Sequence, residues 1–140
     1  DSRVSPEIIF DQGIGELFIV RLAGNVVGPL ALDSIEYAAL YLHTSLIMVL
    51  GHQNCGAVNA VLEKKSKHIE SIAKKIKPAL KECAHEEGDP LVNAIKCNVK
   101  NVVHELKQVS TLKKLIQEKK LLIVGGYYNF DTGEVSSLNP

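Results

Sequence analysis

A histidine and a cysteine, His52 and Cys55, are separated by two residues and directly follow the apolar run 46–50. Imidazole and thiolate are side chains that Zn²⁺ prefers, and this spacing lets both point at one ion. Gly56 and the apolar residues after it predict a helix, which would place Cys55 at or near a helix N-terminus. The dipole and the unpaired N–H groups at that end favour thiolate over thiol. The pattern therefore predicts half of a metal site.

The other half of this site is not evident among the remaining thiols, although a catalytic zinc needs at least three protein ligands. On a helical wheel Cys97 points away from the apolar stripe 91–106, so we expect it at the surface or at an interface. Cys83 follows a stretch interrupted by proline, and we expect it to be a packing residue. Three cysteines in a chain of this size argue against a disulfide framework and for a reducing compartment, so we expect a cytoplasmic protein.

The strands that must hold these residues follow from the hydrophobic pattern. The unalternating apolar runs 16–21, 46–50 and 121–128 predict buried strands, and a turn at 131–133 leads into a possible edge strand. Such strands, separated by helices, describe an α/β fold with a mostly parallel β-sheet flanked by helices. Sites in these sheets lie at the carboxyl ends of strands, which is where His52 and Cys55 fall.

The helices are marked by capping residues and by apolar spacing. Asp33, with Glu36 three residues later, predicts a helix that runs to about His43. Asp89 followed by Pro90 predicts the start of a long helix that carries the stripe 91–106. Shorter helices are predicted after Gly56, over the lysine-rich stretch 66–86 with a break at Pro78, and from about Thr111. We expect one domain over residues 1–140.

Charge and hydropathy exclude some classes of partner. The chain has 16 basic and 16 acidic residues, so its net charge gives no reason to expect nucleic acid or an anionic membrane as a partner. No stretch approaches the roughly 18 apolar residues of a membrane helix. The apolar stripes 35–42 and 91–106 flank strands that are apolar throughout, which is more apolar surface than one small sheet can cover. We therefore expect a homodimer or a larger homo-oligomer.

Four blocks of sequence follow one another in a specific order. They are residues 1–6 (Asp-Ser-Arg-Val-Ser-Pro), 18–25 (Phe-Ile-Val-Arg-Leu-Ala-Gly-Asn), 34–38 (Ser-Ile-Glu-Tyr-Ala) and 51–57 (Gly-His-Gln-Asn-Cys-Gly-Ala). In order and spacing they resemble the blocks of the β-class carbonic anhydrases, and the strand with Gly-Tyr-Tyr at 126–128 is similar as well. A lone His-x-x-Cys occurs by chance, whereas four ordered blocks are specific. The resemblance implies the family's fold without its N-terminal part.

The resemblance also implies roles for individual residues. His52 and Cys55 match zinc ligands, and the family's remaining ligand is a cysteine two residues before Asp1, outside this sequence. Asp1 matches the carboxylate that accepts a hydrogen bond from zinc-bound water, and that in some members binds the zinc and closes the site. Arg3 matches the salt-bridge partner that holds this carboxylate off the metal.

Further positions match the family's substrate site and a regulatory site. Phe18, Ala23, Tyr37 and Gly56 fall where the family binds CO₂, and Arg21 falls where some members bind a regulatory bicarbonate. The implied function is zinc-dependent, reversible hydration of CO₂ to bicarbonate and a proton. Two alternatives stay open, a relative that acts on CS₂ or COS and a catalytically inactive, metal-poor homologue with a binding or assembly role. A cysteine two residues before the first aspartate would favour an enzyme.

Overall fold

The structure is a computed structural model that describes residues 1–138 of the chain. Helices pack against one small sheet, and the elements follow this order: α1 (Pro6–Ile9), a 3₁₀ turn (Ala23–Asn25), α2 (Pro29–Tyr41), β1 (Leu46–His52), α3 (Gly56–Leu62), α4 (Glu70–Glu82), α5 (Pro90–Gln108), α6 (Ser110–Gln117), β2 (Leu122–Tyr128) and β3 (Val135–Ser137). Within residues 1–138, none of the helices combines the length and the apolar character needed to span a bilayer.

The sheet has the strand order β1-β2-β3, with β1 and β2 parallel and β3 antiparallel to β2. The chain between β1 and β2 contains four helices, which is the long crossover that parallel strands need. In the parallel register His52 lies opposite Tyr128, at the carboxyl ends of both strands. The predicted α/β class, the mostly parallel sheet and the strands at 46–50 and 121–128 are therefore confirmed.

Helix α5 lies directly on the sheet because two glycines leave room for it. A Cβ added to Gly51 would come within 2.6 Å of Val99, and one added to Gly125 within 2.9 Å of the same side chain. Val99 is fully buried at this contact. The start of α5 is also as predicted, because the Asp89 side chain accepts hydrogen bonds from the N–H groups of the second and third helical residues.

Three predictions of local structure are wrong. Residues 16–21 form no strand, because β1 pairs only with β2 among the described residues and the run has no strand beside it. Helix α2 begins at Pro29 rather than at Asp33, since proline at the first helical position already has the helical φ. Pro78 lies inside α4 without ending it. Its side chain is exposed, so water can satisfy the carbonyl that loses its partner.

The expectations for the cysteines also need correction. Cys97 is buried rather than at the surface, because α4 packs on a second face of α5 and covers it. Cys83, at the end of α4, is buried as predicted, and a disulfide joins it to Cys97, with the two Cα atoms 6.5 Å apart. The cysteine count argues against a disulfide framework and does not identify this single pair. A loop of this length gives a stabilisation of about 3 kcal/mol in the chain-entropy description.

Candidate metal centre

A tight turn at the end of β1 brings the predicted histidine and cysteine together. His52 is the last residue of the strand, and Cys55 is the N-cap of α3, so only two residues lie between these two side chains. Asn54 adopts a left-handed conformation with φ of 54°, which asparagine tolerates better than most residues. His52 and Cys55 are each only 1% exposed. The turn therefore holds both side chains in a buried position.

Asp1 completes a group of three donors with this pair. Its Oδ2 lies 3.3 Å from Nε2 of His52 and 3.3 Å from Sγ of Cys55. The candidate ligand atoms of the three residues all lie within 4.8 Å of one another. Nitrogen, sulfur and oxygen donors from His, Cys and Asp are the set that Zn²⁺ uses in proteins.

The hydrogen bonds of the imidazole show which of its nitrogens faces the other donors. Nδ1 of His52 lies 2.7 Å from the Gln53 carbonyl, and a carbonyl can only accept, so Nδ1 carries the proton and donates it. The lone pair of Nε2 then faces Asp1 and Cys55, and this buried atom makes no hydrogen bond within the described chain. A buried lone pair beside a thiol and a carboxylate fits a bound cation, so these residues suit the zinc ion that the family resemblance implies.

The environment of Cys55 favours its ionised form. Burial raises the pKa of this thiol, but the N–H groups of Val58 and Ala57, together with His52 when its Nε2 carries a proton in place of a metal, lower it by more. The pKa of Cys55 therefore lies below the ordinary value of a thiol. Both N–H groups belong to the first turn of α3, where they have no partner within the helix. Because a metal binds thiolate rather than thiol, the start of α3 prepares this side chain as a ligand.

The Asp1 carboxylate is held by backbone N–H groups. Oδ2 accepts a hydrogen bond of 2.8 Å from the N–H of Gly24, and Oδ1 accepts one of 3.2 Å from the N–H of Arg3. The Arg3 guanidinium does not pair with this carboxylate and instead donates to the carbonyl of Asn54 at 3.1 Å. Nothing in this arrangement pulls the carboxylate away from His52, so it lies among the donors.

Arg21 contacts the same segment as Asp1. Its Nη2 donates to the carbonyl of Ser2 at 2.7 Å, and its Nε lies 3.4 Å from the carbonyl of Asp1. The guanidinium therefore ties the extended segment that contains Phe18 to the loop that carries the carboxylate. The role in binding bicarbonate that the resemblance implies for Arg21 stays a prediction.

The four predicted substrate residues are only partly brought together. The rings of Phe18 and Tyr37 lie 6.4 Å apart, and both side chains are about half exposed. Phe18 lines an apolar cavity of about 620 Å³, to which Asp1 also contributes. Ala23 begins the 3₁₀ turn, and Gly56 is the first residue of α3, directly after the Cys55 N-cap. Their roles in substrate binding stay predictions.

Residues that the sequence analysis did not identify also shape the site. The ring of Phe130 packs edge-on against His52, with the centroids 5.5 Å apart, and covers it from the β2–β3 connection. Gln53 holds that connection, because its amide accepts from the Phe130 N–H and donates to Asp131. Gly24 binds Asp1, as described above. These contacts join segments far apart in the chain, so the blocks 18–25 and 51–57, which contain Gly24 and Gln53, do not reveal them.

The fold is that of an α/β protein, and the buried His, Cys and carboxylate at the end of a parallel strand form a candidate metal centre. The sequence model of the carbonic anhydrase family matches residues 1–135, and the chain belongs to this family. Solved structures of β-carbonic anhydrases have the same fold. The enzyme CafA of Aspergillus fumigatus superposes with a TM-score of 0.89 at 26% identity, over 99% of this chain and 71% of that one. The Coccomyxa β-carbonic anhydrase in complex with acetazolamide gives 0.87 at 28% identity, over 99% and 68%.

Curated relatives of this chain are also named carbonic anhydrases. Carbonic anhydrase 2 of Mycobacterium tuberculosis is 37% identical over 144 residues, which cover 95% of this chain and 68% of the relative. A carbonic anhydrase of Mycolicibacterium smegmatis is 46% identical over 86 residues, which cover 57% of this chain and 42% of the relative. The chain therefore spans about two thirds of the length of the M. tuberculosis protein. The resemblance to β-class carbonic anhydrases inferred from the four blocks is confirmed.

Proposed function

We propose that this protein catalyses the zinc-dependent, reversible hydration of CO₂ to bicarbonate and a proton. The observation that carries the proposal is the convergence of His52 Nε2, Cys55 Sγ and Asp1 Oδ2 in one buried group. The names of the relatives support the reaction, and the donor set supports the metal. His52 and Cys55 would hold the zinc, and by the family resemblance a further ligand would be a cysteine two residues before Asp1. A bound zinc supplies a water of strongly lowered pKa.

The chain's own residues would orient the reactants around this water. A carboxylate can only accept hydrogen bonds, so Asp1 would fix the direction of the water's proton and leave a lone pair free for CO₂. The hydrogen bonds from Gly24 and Arg3 keep the carboxylate in place. The hydrogen bond from the Nδ1–H of His52 to the Gln53 carbonyl fixes the tautomer in which Nε2 can bind a metal.

The substrate needs little recognition beyond an apolar space. CO₂ is small and uncharged, and the cavity lined by Phe18 and Asp1 is mostly apolar while it reaches the carboxylate. Such a surface favours an uncharged molecule over water and ions. We therefore assign this cavity as the approach of CO₂ to the metal centre.

Metal content and CO₂ hydration, measured together on the full-length protein, test this proposal. We expect one zinc per subunit by elemental analysis and, by stopped-flow pH-indicator assay, a kcat/KM above about 10⁴ M⁻¹s⁻¹. Full zinc with no hydration of CO₂ would reject the reaction, and turnover of CS₂ or COS by the same sample would point to the related hydrolase. A folded protein that binds no zinc would support the inactive homologue.

We also propose that the protein works as a homodimer or a larger homo-oligomer. Large apolar side chains are exposed along the first part of the chain, as shown by Ile8, Ile14, Leu30, Tyr41 and Leu46, each more than half exposed. Tetrameric β-carbonic anhydrases of Sordaria macrospora share the fold, with a TM-score of 0.87. An interface that covers this surface would bury more than about 2,000 Å².

Sedimentation velocity at micromolar concentration is expected to show no monomer. Dilution until the oligomer dissociates should remove activity together with secondary structure, because the apolar surface would then face water. A sample at the same dilution with carrier protein would control for loss on surfaces. A well-folded and fully active monomer would contradict this proposal.

A further inference from the structure

Asn98 is an unusual residue in the core of this protein. It lies on α5 within the apolar stripe and is only 1% exposed. Among residues 1–138, Asn98 and His52 are the polar side chains that are buried to this degree. Oδ1 of Asn98 has no hydrogen-bond partner in the described chain, which costs stability that an apolar side chain of similar size would not lose. The residue therefore calls for an explanation other than packing.

The other end of the Asn98 amide makes one hydrogen bond. Nδ2 donates to the carbonyl of Gly24 at 2.8 Å, across 74 positions in the sequence. The N–H of the same glycine donates to Oδ2 of Asp1, also at 2.8 Å. Gly24 thus lies between Asn98 and the carboxylate of the metal centre, with one hydrogen bond on each side.

The position of Gly24 is closely defined on its remaining sides. It has a left-handed conformation with φ of 69°, which glycine adopts without strain. An added Cβ would come within 2.9 Å of Ile76 on α4 and 3.3 Å of Ala57 on α3. The two helices therefore limit how closely the Gly24 turn can approach them, and Asn98 on α5 sets the direction of the Gly24 carbonyl.

We propose that Asn98 is a positioning residue for the Asp1 carboxylate and acts through the Gly24 turn. Its hydrogen bond holds Gly24 so that the glycine N–H fixes Oδ2 beside His52 Nε2 and Cys55 Sγ. This role rests on the proposed function of Asp1 in CO₂ hydration. Without the Asn98 donor the turn can rotate, and the carboxylate loses its defined direction. A shift of about 1 Å in a reacting group can cost about 100-fold in rate.

Two substitutions test this role. Asn98→Leu removes the donor and keeps an apolar side chain of similar volume, whereas Asn98→Asp keeps the shape but places an acceptor against the Gly24 carbonyl. We expect kcat of the zinc-loaded protein to fall by about 10- to 100-fold in both variants while KM changes much less. Asn98→Leu keeps the test informative if the buried charge of Asn98→Asp prevents folding.

The amide resonance of Gly24 provides a readout that does not depend on activity. An N–H that donates to a carboxylate gives a proton signal far downfield in ¹H–¹⁵N spectra. We expect Asn98→Leu to move this signal upfield and to speed its exchange with solvent, and we expect Asp1→Asn to move it as well. An unchanged Gly24 signal in Asn98→Leu would overturn the proposal, whatever the activity.

A double-mutant cycle separates positioning from general support of the fold. If Asn98 acts through Asp1, then adding Asn98→Leu to Asp1→Asn should lower kcat/KM little further. If the double variant loses kcat/KM by the product of the two single losses, the proposal is overturned. Val103→Ala is the matched control for stability, because it removes buried apolar contacts from the same helix without touching the Gly24 turn. An equal fall in kcat in this control, at equal thermal stability, would also overturn the proposal.

Asn93 offers a control of the same residue type on the same helix. Its Nδ2 donates to the carbonyls of Glu86 and Glu87, in the connection before α5 and outside the metal centre. Asn93→Leu should leave kcat and the Gly24 signal unchanged.

If the native protein with full zinc does not hydrate CO₂, the proposed function fails. The Gly24 signal then decides separately whether Asn98 fixes the carboxylate, with a shift in Asn98→Leu as the supporting result.

Discussion

Replacing Cys55 by serine is expected to abolish stoichiometric zinc binding. Sγ of Cys55 is buried, and its pKa is lowered because the first N–H groups of α3, together with His52 when its Nε2 carries a proton in place of a metal, outweigh the effect of burial. A serine hydroxyl stays protonated under the same conditions and is a harder, weaker ligand for zinc. Removing an outer-shell partner of a ligand already costs 10- to 100-fold in metal affinity. We therefore expect the loss of a ligand itself to cost more than about 100-fold.

Elemental analysis after dialysis against a weak chelator measures this effect. Cys83→Ser is the matched control, because it makes the same substitution at a buried cysteine outside the metal centre. The control should keep one zinc per subunit even if losing the disulfide lowers its stability. Full zinc in Cys55→Ser would show that the turn after β1 is not the metal site, and the proposed function would lose its main support.

The turn with His52 and Cys55 could be predicted because all of its determinants are local. An apolar run ends at His52, and a glycine and an apolar helix follow Cys55, so strand, turn and helix can be identified from adjacent residues. The long helix was predictable for the same reason, since its cap and its stripe lie within one segment. The run 16–21 contains the same kind of residues, but a strand also needs a neighbouring strand, and that information is not local.

Contacts between distant segments account for what the sequence did not reveal about the site. Asn98 stands in the apolar stripe of α5, where a polar residue indicates a buried hydrogen bond, but its partner Gly24 lies 74 positions away. A helical wheel of α5 alone turns Cys97 away from the stripe and predicts a position at the surface or at an interface, because the wheel does not show the α4 that covers this residue. The resemblance identified Asp1 and Arg3 as a dyad. The structure adds that Arg3 binds the carboxylate through its backbone N–H and binds Asn54 through its guanidinium.

Asp1→Asn is expected to leave zinc bound and to lower kcat for CO₂ hydration by about 10²- to 10⁴-fold. The two carboxylate oxygens accept from two different backbone N–H groups, those of Gly24 and Arg3. An asparagine has only one oxygen, so its NH₂ group must face one of these donors, and the side chain has to turn. If the asparagine oxygen keeps the hydrogen bond from the Arg3 N–H, the NH₂ group lies beside His52 and Cys55. There it donates a hydrogen bond, whereas the carboxylate accepts one.

Stopped-flow hydration rates, each normalised to measured zinc content, test the role of Asp1. Asp33→Asn makes the same change at an exposed carboxylate on α2 and should hydrate CO₂ at the native rate. Because zinc is counted in every sample, a fall in rate for Asp1→Asn reports on orientation at the metal centre and not on loss of the ion. An unchanged rate in this variant would mean that the carboxylate takes no part in catalysis. The hydrogen bonds from Gly24 and Arg3 would then hold the loop in place without serving the reaction.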